Sequence, residues 1–356
     1  MKEVPDKFLQ ALRLVAPGTV IREGLDNILR GRTGALIVIG DSPEIREIAE
    51  GGFELNAELT ATGLYELSKM DGAILVSGDG QRILRANVHL VPQAVIPSQE
   101  TGIRHRTAER VARQTGAIVI AISQRRSIIT LYQGPFKYVV RDTGLILARA
   151  NEALQALEKY RRVLDKFLNT LTVLEFEEAV TAHDVVKVIQ RVEMIGRVMD
   201  EIDFYIIQLG NESRLVTLQL EEMTGGLREE GELVIRDYFV AGGERAWEQV
   251  RKQLNQCSPE EILEPLVISR IMGFGGTLAA LEQPVTPRGY RVLRKIPRLP
   301  MAVIENLVAA FGTLPRIVEA TVEALDAVDG IGEIRAKAIK EGLAKLREQV
   351  LLEHYS

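Results

Sequence analysis

A glycine turn between two short helical patterns near the C-terminus is the feature that most constrains how this chain can fold. Gly330 and Gly332 flank a single isoleucine, and without a Cβ they let the backbone bend sharply and approach a neighbour closely. The helix that follows is predicted to bury Ile334, Ala338 and Ile339. Free amides at the start of such a helix carry a positive field that suits a phosphate. The pattern predicts a helix-hairpin-helix, with an ordinary turn between two helices as the alternative.

Length and composition limit the class of protein. With 356 residues and a formal net charge of -5, the chain is long enough for two or three domains and is not coated in basic surface. The single cysteine, Cys257, cannot form an internal disulfide, which is typical of a reducing cytosol. The sequence shows neither a secretory signal pattern nor an apolar run of about 18 residues. We therefore expect a cytoplasmic protein with no membrane partner.

Residues 1–145 alternate between helical patterns and short runs rich in β-branched residues. The predicted strands cover 35–39, 73–77, 117–123, 128–133 and 138–141, and the predicted helices cover 6–16, 20–30, 60–69 and 104–115. Gly78-Asp79-Gly80 is a good turn between the second of these strands and a further one at 82–86. The region is predicted to be an α/β domain in which helices flank one mixed sheet.

Residues 146–285 are predicted to form an all-α spacer. A heptad seam steps by four and three residues through Val188, Val192, Ile195, Met199, Ile202, Ile206 and Leu209. The seam follows a plausible helix cap, Thr181 with Asp184, and stops at Gly210. The sequence leaves two alternatives open, a helix packed inside its own bundle and an intermolecular coiled coil that assembles the protein.

Residues 286–356 are predicted to form a tandem helix-hairpin-helix domain that binds DNA. Eleven residues without an acid contain Arg288, Arg291, Arg294, Lys295 and Arg298. In an acidic protein, such a cluster beside the glycine turn is hard to explain as mere solubility. Together with Gly330, Gly332 and Arg335, the cluster is expected to contact the sugar-phosphate backbone without reading bases.

The first region also contains a candidate phosphate site. Arg104-His105-Arg106-Thr107 opens a predicted helix, where cationic side chains are unfavourable unless an anion lies between them. Three potential cations and free backbone amides predict a phosphate cradle, although a solvated basic turn is the alternative. Asp71, in Asp71-Gly72-Ala73 before a strand, is the local candidate for a base.

The sequence predicts no metal site made by the protein alone. Histidines and the single cysteine lack the spacing of a zinc site. Asp71 and Asp79 are separated by a strand, so they are not expected to share a pair of metal ions. A divalent ion would then be held mainly by substrate phosphates, as magnesium often is.

With these motifs in this order, the chain resembles the DNA integrity scanning family of diadenylate cyclases. The resemblance rests on Asp71-Gly72-Ala73, Arg104-His105-Arg106-Thr107, the helical spacer and the C-terminal hairpin, and it covers the whole chain. It implies the condensation of two ATP molecules into cyclic di-AMP and two pyrophosphates, with Mg²⁺ or Mn²⁺ as cofactor. It also implies a homo-octamer whose cyclase domains meet face to face, located in the cytoplasm with the nucleoid, and regulation of synthesis by branched or junction DNA.

The resemblance assigns roles to individual residues. Asp71 would promote attack of the 3′-hydroxyl on the α-phosphate of the opposed ATP, and Leu90 would contact adenine through its main chain. The other implied ATP-binding residues are Gly72, Ala73, Ile103, Arg104, His105, Arg106, Thr107 and Ser123. The alternative to an active cyclase is a DNA-binding repair scaffold whose first domain binds nucleotide without catalysis.

Overall fold

A computed structural model describes residues 5–240 and 246–355 of the chain. The strands are β1 (Ala35–Ile39), β2 (Ala49–Glu50), β3 (Phe53–Glu58), β4 (Ala73–Val76), β5 (Arg82–Leu90), β6 (Ile118–Ser123), β7 (Ile128–Gln133) and β8 (Phe136–Val140). The helices among them are α1 (Asp6–Leu14), α2 (Val20–Arg30), α3 (Pro43–Glu47), α4 (Ala61–Leu67) and α5 (Ile103–Thr115).

The remainder of the described chain is helical. Its helices are α6 (Thr143–Phe176), α7 (Ala182–Leu209), α8 (Arg214–Thr224), α9 (Leu227–Tyr238), α10 (Trp247–Gln256), α11 (Pro259–Leu263), α12 (Pro265–Met272), α13 (Leu278–Leu281), α14 (Tyr290–Arg294), α15 (Met301–Phe311), α16 (Leu314–Glu319), α17 (Val322–Asp326) and α18 (Glu333–Tyr355). A 3₁₀ turn, Gly210–Ser213, connects α7 to α8. The predicted order, a mixed sheet with helices followed by an all-helical region, is confirmed.

The strands form one mixed sheet in the order β2-β5-β4-β1-β6-β7-β8, with β3 paired to β5. Only the β1–β4 pair is parallel among the described strands, and the other pairs are antiparallel. The predicted hairpin between β4 and β5 is confirmed. The sequence patterns did not predict β2, β3 or α3. All six residues of β3 are exposed, so its sequence lacks the apolar run that marked the other strands.

The central strands of the sheet are buried on both faces. Ile37 of β1 belongs to the core on the face that α1, α2 and α4 cover. Its neighbour Val38 belongs to the opposite core, together with Ala108 and Val111 of α5. Successive side chains of a strand point to opposite faces, which explains why β1 is apolar at every position and buried throughout. This second core fixes α5 against the sheet.

The chain divides into two compact units. The first contains the described residues through Glu152 together with Ile202–Leu218, and the second contains Ala153–Glu201 and the described residues from Gln219 onward. Residues before and after position 286 therefore lie in the same second unit.

The heptad seam on α7 is buried within the chain. Ile195 and Ile202 are fully buried, and apart from the half-buried Ile206 the other seam residues are buried as well. The cap was predicted correctly, since the amide of Asp184 donates to the hydroxyl of Thr181 at 3.4 Å and the amide of Thr181 donates to the carboxylate of Asp184 at 3.1 Å where the helix starts. Because these side chains already pack inside one chain, the structure favours the bundle over the intermolecular coiled coil.

A buried cluster of charged residues holds α14 in the second unit. The guanidinium of Arg291 is 1% exposed and pairs with Glu175 of α6, which is itself fully buried. The other carboxylate oxygen of Glu175 accepts a hydrogen bond of 2.7 Å from the hydroxyl of Tyr238. Asp237 accepts hydrogen bonds from the backbone amides of residues 289–291, at 2.6–3.0 Å, and so caps the start of α14.

We predict that Arg291→Ala lowers the free energy of unfolding by about 3–5 kcal/mol, because it leaves the Glu175 carboxylate buried without its partner. The matched control is Arg294→Ala. Its pair with Glu229 is about half exposed on both sides, and pairs of this kind contribute roughly 0–1 kcal/mol. Denaturant unfolding of the two variants beside wild type measures the difference. Equal stability losses would contradict the structural role given to Arg291.

Candidate active site

The ends of four neighbouring strands meet at one edge of the sheet. β1 and β4 run parallel and both begin at this edge, whereas β5 and β6 are antiparallel to them and end there. The register places Ala35 of β1 opposite Ile122 of β6, and Ala73 of β4 opposite Val88 of β5. Residues that are far apart in sequence are thereby brought together.

A cleft of about 540 Å³ opens at this edge, beside the start of α5. The predicted ATP-binding residues that line it are Gly72, Ala73, Leu90, Ile103, Arg104, His105, Thr107 and Ser123. Six further lining residues were not predicted from the sequence: Leu36, Val88, His89, Gly102, Gln124 and Arg125. Their only sequence signal is position next to a predicted strand end or motif, so the sheet topology was needed to find them.

Of the residues predicted for catalysis and ATP binding, two do not line the cleft in the described structure. Asp71 is exposed and directly precedes Gly72, which does line it. Arg106 is half-buried, and its backbone amide donates to the carbonyl of Gly102 at 2.9 Å in the first turn of α5. Asp71 therefore lies beside the cleft, whereas Arg106 belongs to the body of the helix.

The start of α5 has the character of an anion site. In the described structure its first turn contains no acidic residue, and its N-cap, Gly102, makes no side-chain capping bond. The helix thus presents backbone amides and the positive end of its dipole together with Arg104, an exposed cation. Arg125, from the turn after β6, adds a second guanidinium to the lining of the cleft. Such a set of donors suits a phosphate.

His105 is half-buried in the cleft wall, and its Nε2 atom has no hydrogen-bond partner among the described residues. Burial lowers the pKa of His105 below the ordinary histidine value, and the charge of Arg104 lowers the pKa further, against the opposing effect of Glu100. His105 is therefore neutral near pH 7 and has an unsatisfied ring nitrogen in the cleft wall. A ligand atom could supply the missing partner.

The segment before α5 is fixed by side chains of α5 itself. Ser98 and Arg113 donate to Glu109 at 2.5 Å and 2.6 Å, and the guanidinium of Arg110 donates to the carbonyl of Ile96 at 2.9 Å. These contacts hold the chain that leads into Gly102. They locate the helix start, and with it the cleft wall.

Arg104 lies over a glycine at the start of β1. A Cβ placed on Gly34 would lie 2.2 Å from Nη1 of Arg104, so the absence of a side chain there makes room for the guanidinium. At Gly72 the backbone conformation and a neighbouring strand require glycine. Its φ is +90°, and a Cβ there would lie 2.8 Å from the carbonyl oxygen of Val88. Gly72 thus lets the turn before β4 press against the backbone of β5.

Among the described residues, no cluster of three or more His, Cys, Asp and Glu could hold a metal ion. The described helices also include none that is long and apolar enough to cross a membrane.

The basic cluster predicted to bind DNA divides into two sets. Arg291 is buried in its ion pair, so its prediction as a DNA contact is wrong. Arg288 is half-buried, and its guanidinium donates to the carbonyls of Arg236, Asp237 and Phe239 at 2.9–3.0 Å. These donors are therefore used inside the fold, which leaves Arg288 less available to DNA than the exposed cations. The exposed members of the cluster are Arg294, Lys295 and Arg298.

The glycine turn joins α17 to α18 as predicted, but its details differ. Gly330 has φ +79°, a conformation that favours glycine, whereas a Cβ on Gly332 would meet no described atom within 4 Å. The guanidinium of the exposed Arg335 donates back to the carbonyl of Gly330. Ile334 is 89% exposed, so its predicted burial is wrong. Ala338 is also exposed, against its prediction, whereas the predicted burial of Ile339 is confirmed; Ala336 and Leu343 complete the buried face of α18.

Comparison with known proteins gives the family. Residues 22–135 match the model of the DisA bacterial checkpoint controller nucleotide-binding (DAC) family, and residues 140–281 match that of the DisA bacterial checkpoint controller linker region. The chain is 56% identical over 344 residues to the DNA integrity scanning protein DisA of Carboxydothermus hydrogenoformans, covering 97% of this chain and 98% of that protein. It is 54% identical to the DisA protein of Symbiobacterium thermophilum, with 97% of both chains covered.

The chain belongs to the DisA family. The resemblance seen in the sequence is confirmed, and so is the enzyme class: the chain is a diadenylate cyclase, a nucleotidyltransferase. The nucleotide-binding match contains the whole cleft, since its lining residues run from Leu36 to Arg125.

We predict that Gly34→Ala weakens nucleotide binding by about tenfold, because the new methyl group displaces the guanidinium of Arg104 and a hydrogen bond to a charged group contributes roughly 1.5–3 kcal/mol. The fold should survive, since the atom that must move is the far end of a flexible side chain. Gly78→Ala is the control, because a Cβ there would meet no described atom within 4 Å. Titration with a fluorescent ATP analogue compares the two. Unchanged affinity in Gly34→Ala would show that the position of Arg104 is unimportant.

Proposed function

We propose that the chain condenses two ATP molecules into cyclic di-AMP and two pyrophosphates in the cleft beside α5. The observation that carries this proposal is the convergence of residues predicted from four separate segments, around positions 72, 90, 103–107 and 123, on one cleft. The cleft is lined by two guanidinium groups and by no carboxylate among the described residues. That lining suits a polyphosphate and not a cationic substrate.

The chemistry follows from the substrate. The 3′-oxygen of each ATP attacks the α-phosphorus of the other, so that two phosphodiester bonds form, two bonds to pyrophosphate break and two hydroxyl protons are lost. Such a reaction needs in-line positioning and charge neutralisation more than covalent catalysis. In our proposal Arg104, His105, Thr107 and Ser123 hold phosphates, and Gly72, Ala73 and Leu90 contact the nucleoside. Asp71, which directly precedes the lining residue Gly72, takes the hydroxyl proton in this proposal.

A divalent ion fits this arrangement. Mg²⁺ or Mn²⁺ would supply further neutralisation of phosphate charge, and phosphate oxygens would be its main ligands. Asp71 is the carboxylate beside the cleft that could also contact the ion. The arginines that line the cleft, Arg104 and Arg125, are suited to the phosphates.

One cleft with one ATP holds half of the reactants, so two cyclase domains must face each other. We therefore retain the proposal of a homo-oligomer, an octamer by resemblance to the family. The buried seam of α7 is not its interface. The alternative of a scaffold that binds nucleotide without catalysis is disfavoured by the enzyme class and by the intact cleft.

The test of the reaction is to incubate the purified chain with ATP and Mg²⁺ and to identify the product by mass. We predict that Asp71→Asn lowers the rate of cyclic di-AMP synthesis by about 10²–10⁴-fold, the usual loss when a positioned base is removed. ATP affinity and thermal stability should be nearly unchanged, because the side chain is exposed and the amide keeps its shape. Turnover near the wild-type rate would remove Asp71 from the mechanism.

We also propose that the C-terminal helices bind DNA, with a preference for branched or junction DNA, and that this binding regulates synthesis in a cytoplasmic, nucleoid-associated protein. The turn at Gly330–Gly332 and the exposed Arg294, Lys295, Arg298 and Arg335 support the proposal. Arg294 pairs with Glu229 in an exposed ion pair. Exposed pairs contribute little stability, so phosphates could replace them at small cost.

We predict that Arg298→Ala and Arg335→Ala each weaken DNA binding equally across sequences and reduce the slope of log affinity against log salt by about one. Arg162→Ala is the control. This arginine is 75% exposed on α6, pairs with Glu158, and lies outside the surface proposed to bind DNA. Fluorescence anisotropy with a four-way junction and a straight duplex at several salt concentrations measures the slopes.

Unchanged slopes in both C-terminal variants would rule out this surface as the DNA site. Point variants are preferable to removal of residues 286–356, which would leave Glu175 and Asp237 buried without Arg291 and the amides of residues 289–291. Such a truncation would test stability before it tested DNA binding.

A further inference from the structure

Strand β5 contains an irregularity next to the proposed base. Ala73 of β4 pairs with Val88 of β5, but Leu75 pairs with Arg85, so β5 has one more residue than β4 between these two pairs. Asn87 lies in this bulge and has φ +55°. Asparagine is among the few residues other than glycine that adopt this left-handed conformation readily. Bulges of this kind redirect a side chain and occur often beside active sites.

The side chain of Asn87 is directed to the turn that carries Asp71. Its Nδ2 atom donates a hydrogen bond of 2.6 Å to the backbone carbonyl of Asp71. The same turn presses against the backbone of the bulge, since a Cβ on Gly72 would lie 2.9 Å from the carbonyl carbon of Asn87 and 2.8 Å from the carbonyl oxygen of Val88. The turn is therefore held by one side-chain hydrogen bond and by close backbone packing.

This contact matters because Asp71 is exposed and is not fixed by burial. The location of its carboxylate depends on the backbone of residues 71–72. Beyond the bulge, β5 continues into Val88, His89 and Leu90, which line the cleft. The bulge thus connects the turn that carries the proposed base to the wall that would hold the nucleoside.

We propose that Asn87 is a positioning residue for the cyclase reaction: its amide fixes the backbone of Asp71 and so sets the distance between the carboxylate and the nucleotide. This inference rests on the proposed function, and it adds a residue outside the predicted motifs. Asn87 acts through Asp71 and does not itself line the cleft in the described structure.

Two substitutions separate the hydrogen bond from the backbone conformation. Asn87→Gly keeps the left-handed conformation and removes the donor. Asn87→Asp keeps the size of the side chain but places a carboxylate oxygen against the carbonyl of Asp71. The matched control is Asn56→Gly, because Asn56 also has positive φ, +45°, in an irregular part of the neighbouring strand β3. The side chain of Asn56 accepts a hydrogen bond from Arg82, the first residue of β5, whereas that of Asn87 donates to Asp71.

The experiment measures kcat and KM for cyclic di-AMP synthesis, together with the melting temperature, for wild type and the three variants. We expect Asn87→Gly to lower kcat by about 10–100-fold, the range that a misplacement of about 1 Å produces, with KM for ATP within about threefold of wild type. Asn87→Asp should lose at least as much, and Asn56→Gly should keep kcat within about twofold. In the Asp71→Asn background, Asn87→Gly should cause little further loss of kcat, because the group that it positions is gone.

A wild-type kcat in Asn87→Gly would overturn the inference and leave the proposed function intact, since the wild-type protein would still make cyclic di-AMP. Equal losses in Asn87→Gly and Asn56→Gly, or a loss confined to KM and melting temperature, would assign Asn87 a structural role and also overturn the inference. Absence of cyclic di-AMP from the wild-type reaction would overturn the proposed function and this inference together.

Discussion

Burial of the central strands on both faces is the constraint on which the candidate active site depends. Helices α1, α2 and α4 cover one face and α5 covers the other, so a nucleotide can approach the strands where they end. The parallel β1–β4 pair, with antiparallel neighbours on each side, puts the starts of two strands and the ends of two others at the same edge. Short segments from each strand then form one cleft. The motifs are far apart in sequence, and the sheet topology brings them together in space.

Arginine has a different role in each unit: Arg104 lines the cleft, whereas the buried Arg291 stabilises the fold through an ion pair. Arg104 lies at the mouth of a cleft over the missing side chain of Gly34, where its charge is available to a ligand. Arg291 is enclosed with Glu175, where loss of either partner would leave an unpaired charge inside the protein. A count of cations along the chain cannot separate these cases. The surface proposed for DNA is consequently smaller than the basic cluster in the sequence.

Sequence patterns predicted the helices and strands whose own residues include an apolar run or a helix cap. The predicted bounds of β1, α2 and β7 agree with the structure, because apolar runs and caps mark them. The exposed strand β3 has no such pattern and forms through pairing with β5. The apolar face of α18 was misplaced because Ile334 is exposed and Ala336 takes its place in the core. Most of the proposed cleft was predicted through family motifs, whereas Leu36, Gln124 and Gly34 became visible only once the strands were placed.

The site is built mainly from backbone geometry, and the reaction explains why that is sufficient. Transfer of a nucleotidyl group needs the attacking oxygen in line with the leaving pyrophosphate more than it needs a strongly activated nucleophile. The relevant features are accordingly ones that place the main chain: the positive φ of Gly72, the bulge at Asn87 and the uncapped start of α5. Each sets a position without adding a titratable group to the cleft. In our proposal an exposed aspartate acts as the base, with its location set by the turn that carries it and by the strand behind that turn.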